Sequence, residues 1–190
     1  YMAGVNMISS EVTPGGPDLE PTTGDLSESL RKLGLKTFRL KTGTPPRILR
    51  SSIDFSKVKL EPGIEGFLHF SELTTKEDVL PYDKQVSCHM TYTTPETHEY
   101  ILGNLNKSSM YSGVVKGVGP RYCPSIEDKL VRFKDKPRHL LFLEPESLEL
   151  DTIYLQGFST SLPRDIQEKM VHSLPGFENA IIKKYAYAIE

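Results

Sequence analysis

Gly117-Val118-Gly119-Pro120-Arg121-Tyr122-Cys123-Pro124-Ser125-Ile126-Glu127-Asp128-Lys129 is the stretch around which this chain is organised. It packs two glycines, two prolines, an arginine and a cysteine into a few residues and then opens a helix. Ser125 followed by Asp128, ahead of the apolar positions Ile126, Leu130, Val131 and Phe133, is a capping-box-like helix start. Cys123 then falls just upstream of a helix N-terminus, where free N–H groups and the helix dipole favour an anion. Arg121 adds a positive charge nearby. These conditions turn a thiol into a thiolate nucleophile at neutral pH. The alternative is a small buried cysteine in a Pro-rich turn, the commoner use of a free cysteine.

Upstream of this stretch, Tyr111 to Lys116 reads as a turn and then a strand, and Gly113, Gly117 and Gly119 have the wrong order for a dinucleotide loop. Gln85 to Thr93 alternates, with Val86, Cys88, Met90 and Tyr92 on an apolar face that predicts a core position for Cys88. Thr94-Pro95 starts a helix that turns Ile101, Leu102 and Leu105 inward. His98 lies in its first turn, where the dipole favours a neutral ring. Between residues 48 and 84 the pattern is irregular. Short strands are expected around Phe55 to Leu60 and Gly66 to Phe70, and a loop over Thr74 to Asp83. Nearer the start, Tyr1 to Ile8 suits a strand, and Pro14 to Gly24 form a loop without a phosphate-binding pattern. Leu26, Leu30 and Leu33, with Gly34 beyond them, predict a short helix packed on a sheet. Leu35 to Leu40 predicts a strand that runs into the sharp turn Lys41-Thr42-Gly43-Thr44-Pro45-Pro46-Arg47, whose arginine can pair with an anion or a carboxylate.

Downstream, Leu140-Leu141-Phe142-Leu143 and Thr152 to Leu155 are strands. Glu144 and Glu146, at the end of the first, have the chemistry for acid–base work but are ordinary solvated turn residues by position. Ser159-Thr160-Ser161 precedes a helix carrying Ile166, Met170 and Val171, and its hydroxyls can cap that helix or hold an anion. Ala180 to Ile189 predicts a final strand. Together these elements make a mixed α/β (α+β) body.

Composition bounds the function. With 37% hydrophobic and 25% charged residues, the 190-residue chain is globular. Its net charge of −2 argues against binding nucleic acid by bulk electrostatics, while leaving room for a local basic patch. No apolar run is long enough to span a membrane. The two cysteines make no disulfide framework and have no metal-type spacing, which suits a reducing, cytoplasmic setting. The ends suggest a piece of a longer protein.

Several blocks carry a resemblance: Arg39 to Arg47, Thr91-Tyr92-Thr93 with Thr97-His98, Ser109 to Gly113, Gly117 to Lys129, Phe142 to Glu146, and Ser159 to Pro163. Together they resemble the MnmG/GidA family, over essentially the whole chain. Three positions depart from that pattern: Gln156 where Asn is usual, Ser109 where Pro is common, and Tyr185-Ala186 in place of Pro-Gly. A related folate- and FAD-dependent tRNA methyltransferase fits the Cys123 block less well.

The resemblance implies a central portion of a flavin-dependent tRNA-modifying enzyme. Residues 1–46 would belong to a two-dinucleotide-type FAD domain, residues 47–150 to an inserted α/β domain, and residues 151–190 to the return to the FAD side. FAD, NADH and methylenetetrahydrofolate are the implied cofactors. The implied partners are the tRNA anticodon, an MnmE-type GTPase and a second copy in a homodimer. It makes Cys123 the catalytic thiol, puts Thr44, Pro45, Arg47, Arg121 and Tyr122 at the cofactor, and offers Lys129, Arg132, Lys136 and Arg138 to tRNA phosphates. Without the FAD fingerprint, the isolated piece is expected to be inactive, a folding or docking module.

Overall fold

A computed structural model describes residues 2–120 and 125–190. Two antiparallel sheets share the chain. Strands β1 (Val5–Ile8), β2 (Glu11–Pro14), β3 (Thr42–Thr44) and β10 (Tyr187–Ile189) form a four-stranded sheet in the order β2-β1-β10-β3. Strands β4 (Arg47–Leu49), β5 (Lys59–Glu61), β6 (Cys88–Tyr92), β7 (Leu140–Pro145), β8 (Thr152–Gln156) and β9 (Ile182–Lys184) form a six-stranded sheet in the order β5-β6-β7-β8-β4-β9. The chain changes sheet between β3 and β4, and again between β9 and β10. Residues 152–184 therefore run with the six-stranded sheet, and only β10 rejoins the other.

The core lies on one face of the larger sheet. Leu141 and Leu143 of β7 and Ile153 and Leu155 of β8 point into it, and helices α2 (Pro95–Leu102), α3 (Ile126–Arg132) and α4 (Arg164–His172) cover it with Ile101, Ile126, Leu130, Ile166 and Met170. Helix α2 begins as its sequence dictates. Pro95 occupies the first turn, and Thr94 and Thr97 cap each other reciprocally. Thr97 Oγ1 also lies 2.6 Å from Ser173 Oγ, which ties the start of α2 to the end of α4. Ile101 is buried, but Leu102 is exposed.

Several expectations fail. Helix α1 (Gly24–Lys32) forms but buries nothing, so its leucine stripe is not packed on a sheet. Leu35 to Leu40 is no strand: it stays exposed, makes one isolated parallel bridge from Leu40 to Val118, and has no strand partner. Gly66 to Phe70 and Val114 to Lys116 are likewise not strands. The face of β6 is inverted, with Thr91 buried opposite Leu141 and its hydroxyl donating to Pro175 O at 3.1 Å, while Cys88 is only half-buried. The terminal strand splits into β9 and β10 because Gln167, on α4, takes both hydrogen bonds of Ala186: the Ala186 N–H donates to Oε1 at 2.8 Å, and Nε2 donates to Ala186 O at 3.0 Å. Among the described residues no helix is long and apolar enough to cross a membrane.

Candidate functional site

The turn between β3 and β4 is the hinge where the chain passes from one sheet to the other, and Arg47 fixes it. Pro45 and Pro46 are buried. Arg47 Nη1 donates to Pro45 O at 3.0 Å and to Thr44 Oγ1, and Nε donates to Glu146 Oε1 at 2.9 Å. The guanidinium also lies 4.8 Å from the centre of the Tyr154 ring. The two charged side chains are only 15% and 28% exposed, so solvent screens this pair little. Thr44, Pro45 and Arg47 are therefore together, as expected, but their polar groups mainly hold one another.

Beside this hinge lies a buried polar knot built on Glu127, in the first turn of α3. Ser125 caps that helix by accepting from the Asp128 N–H at 3.1 Å, which leaves Ile126 and Glu127 facing inward. Glu127 is completely buried. Its Oε1 accepts from Ser108 Oγ at 3.0 Å, Thr160 Oγ1 at 2.8 Å and the Ser161 N–H at 3.2 Å. Its Oε2 is buried and has no hydrogen-bond partner. The hydroxyls before α4 thus hold a carboxyl group that the chain itself supplies, and Pro163, just before α4, gives it no side-chain cap. Ser109 is buried with its hydroxyl unpartnered, as suits a position where the resemblance calls for proline. Glu127 was not singled out from sequence. The available signal was an acidic residue between the buried helix positions Ile126 and Leu130, with three hydroxyls elsewhere in need of a partner.

On the far side of Ser108 and Ser161 lies Lys41. Its Nζ lies 3.0 Å from Met110 Sδ, and the Met110 N–H lies 3.3 Å from Ser108 Oγ and 3.4 Å from Ser161 Oγ. Glu190, nearby, accepts from the Lys116 and Gly117 N–H groups at 2.9 and 2.7 Å and from Arg39 Nε at 3.1 Å. Burial pushes the Glu190 carboxyl up, but the Gly117 N–H, Arg39 and the Lys116 N–H together outweigh it and hold it below its usual range. Arg39 and Glu190 border a cleft of about 310 Å³, which Met2, Phe38, Leu40 and Arg31 also line.

The remaining expected residues are scattered. Arg121, Tyr122 and Cys123 lie outside the described residues. Lys129 turns inward, with Nζ donating to Gly157 O at 3.0 Å and burial lowering its pKa, so it does not present its charge on the surface. Arg132 and Lys136 are exposed, and Arg138 stacks over Tyr92 at 4.0 Å. Cys88 sits on the half-open face of the larger sheet, where burial, then Glu144 and Glu61, push its thiol up and keep it protonated. Glu144 is raised by burial, and Glu146 is the carboxylate that Arg47 pairs with.

A mixed α/β chain of two sheets, with a proline-braced crossing and a buried carboxylate knot beside it, is the architecture to be matched. The family model for glucose inhibited division protein A matches residues 1–190. The chain belongs to that family. It is 53% identical over 190 residues to the tRNA uridine 5-carboxymethylaminomethyl modification enzyme MnmG of Mycoplasma mobile, covering all of this chain and 30% of that protein. The MnmG of Mycoplasmopsis synoviae is 55% identical over the same span, again 30% of its length. Among solved structures, Aquifex aeolicus GidA in its form I crystal superposes with a TM-score of 0.87 at 46% identity, over all of this chain and 32% of that one. The chain therefore spans about three tenths of the length of the relatives it matches.

Proposed function

We propose that this chain is the central part of an FAD-dependent enzyme that installs an aminomethyl or carboxymethylaminomethyl group at carbon 5 of the wobble uridine in tRNA. The observation that carries this reading is similarity over all 190 residues of this chain, above 50% identity, to proteins named for that modification. In this reading Cys123 is the nucleophile: its thiolate adds to uridine carbon 6, and carbon 5 becomes nucleophilic. Arg121 and Tyr122 line the flavin or uridine side. Arg132, Lys136 and Arg138 offer their exposed charges to tRNA phosphates, and Lys129 braces α3 through its bond to Gly157 O. An MnmE-type GTPase and a second copy in a homodimer complete the assembly, in a cytoplasmic setting.

A flavin dinucleotide suits the cleft beside α1 in part: it has apolar walls from Met2, Phe38 and Leu40 and a cation from Arg31, while Arg39 is already held by Glu190 and Ala3 O. When bound, FAD supplies the redox chemistry, with NADH as reductant and methylenetetrahydrofolate as the one-carbon source. The chain's own part is to shape that cleft and to hold the Thr44-Pro45-Pro46-Arg47 crossing rigid. The sheet memberships favour placing the return to the FAD side near Tyr185 rather than at 151, leaving 1–46 as the first FAD-side segment and the inserted domain starting at 47.

A second reading, that the isolated chain is a non-catalytic folding or docking module, draws on the exposed leucines of α1 and the short span relative to its relatives. The test is Cys123→Ser in the full-length protein, read by mass spectrometry of wobble nucleosides and by flavin absorbance. Loss of the modified nucleoside with flavin binding retained is the expected result. Wild-type levels of modification in the variant would overturn the catalytic assignment.

A further inference from the structure

Lys41 is a half-buried cation with no anion to answer it among the described residues. Its Nζ has Met110 Sδ, at 3.0 Å, as its partner, and a thioether is a weak acceptor that cannot neutralise an ammonium. No carboxylate among the described residues pairs with it: Glu190 is taken by Arg39, and Glu127 by Ser108, Thr160 and Ser161. The side chain is nevertheless held in place. The Lys41 N–H donates to Val118 O at 3.1 Å, and Leu40 bridges to Val118, so the segment runs alongside residues 117–119. Gly119 leaves room for the stem, since a Cβ there would lie 2.9 Å from Lys41 Cε. Met110, the contact at the tip, is fixed in turn through Ser108 and Ser161. An ammonium steadied by packing and left without a counter-charge has the features of an anion subsite.

We infer that Lys41 binds a phosphate group of the substrate at the crossing between the two sheets. This rests on the proposed RNA-modifying function and extends it to a residue outside its expected site. Lys41 follows Leu40, a residue of the cleft assigned above to the flavin, but contacts the 108–111 loop and Gly119 instead. Lys41 is therefore assigned a phosphate other than the flavin's, and loss of FAD by Lys41→Met that Lys41→Arg restores would overturn that assignment. The same chemistry is offered by an RNA phosphodiester and by the pyrophosphate of a nicotinamide dinucleotide.

The experiment uses the full-length protein and three variants: Lys41→Met, which keeps the apolar stem; Lys41→Arg, which keeps the charge; and Gly119→Ala, which keeps the charge but pushes it aside. An anticodon stem-loop RNA is titrated over a range of salt concentrations, NADH is titrated separately, and FAD content is read by absorbance. For an RNA phosphate, Lys41→Met weakens RNA binding about tenfold and lowers the salt slope by about one. Lys41→Arg restores most of that affinity, and Gly119→Ala falls between. For a dinucleotide, the same ranking appears in the NADH titration and RNA binding is unchanged. FAD content at the wild-type level shows that the variants are folded. Wild-type binding of both ligands by Lys41→Met overturns the inference while leaving the functional reading intact. Failure of the wild-type protein to bind RNA, NADH or FAD overturns both.

Discussion

Replacing Glu127 by alanine removes the single oxygen that Ser108 Oγ, Thr160 Oγ1 and the Ser161 N–H share at 3.0, 2.8 and 3.2 Å. Hydrogen bonds to a carboxylate contribute about 1.5–3 kcal/mol each, so three in isolation suggest ~5–9 kcal/mol. That sum is too large on three counts. The bonds converge on one atom and are not additive. Ser108 Oγ and Ser161 Oγ are already 3.0 Å apart and can satisfy each other. Removing the carboxylate also removes the cost of having desolvated it. About 3–5 kcal/mol remains, the range for breaking a buried polar partnership by deleting one member. For a chain of this size that is a fall in Tm of roughly 6–20 °C. Glu127→Gln keeps an acceptor for the three donors but places an NH₂ where Oε2 finds no partner, at a cost of about 1–3 kcal/mol. Urea denaturation followed by circular dichroism gives the totals, and hydrogen exchange at the Ser161 amide reports the knot itself. An alanine variant within ~0.5 kcal/mol of wild type, the range of an ordinary surface change, would refute this account of what joins the three segments.

Arg47→Ala removes a largely buried ion pair, two further hydrogen bonds and the Tyr154 contact, and is expected to cost about 2–4 kcal/mol. Arg47→Lys restores charge without the planar fork and recovers only part of that loss; equal denaturation midpoints for Arg and Lys would contradict the strut. A pH prediction comes from His98 and His139, whose rings lie 5.7 Å apart. Burial lowers both, and His98, Lys129 and Lys136 push His139 down further. As pH falls through the ordinary histidine value of 6.5, the unfolded chain takes up protons before the folded one. The stability these rings contribute is therefore complete above that value and lost progressively below it. Tm measured between pH ~7.5 and ~5.5 checks this, with His139→Gln expected to flatten the slope; an unchanged slope would count against the pair.

Legibility in the sequence tracked whether an element's partners were local. The Thr94-Pro95 start of α2, the apolar strands at Leu140 to Leu143 and Thr152 to Leu155, and the Ile166–Met170 face of α4 were all readable because apolar patterning and capping are short-range. Leu35 to Leu40 was also readable as a strand, yet a strand exists only where another strand pairs with it, and none does here among the described residues. The inverted face of β6 depended on Pro175, far along the chain, accepting the Thr91 hydroxyl. The break in the terminal strand depended on Gln167, whose side chain stands in for a neighbouring strand.

The site repeats this lesson with a consequence for function. Arg47 was readable as a partner for an anion or a carboxylate, and Ser159-Thr160-Ser161 as a cap or an anion holder. Each finds its anion inside the chain, at Glu146 and Glu127. Motifs that look independent along the sequence, at 108–111, 125–128 and 159–161, are one knot in space. A polar residue already satisfied by the chain has little charge left for a ligand, so its recurrence in a motif reports architecture first. Lys41 is the informative contrast. It sits beside the same knot, its stem is packed against Gly119, and among the described residues its charge meets only a thioether. Where the fold supplies the geometry and the described residues supply no counter-ion, a partner from the substrate is what the inference predicts, and this asymmetry distinguishes Lys41 from Arg47.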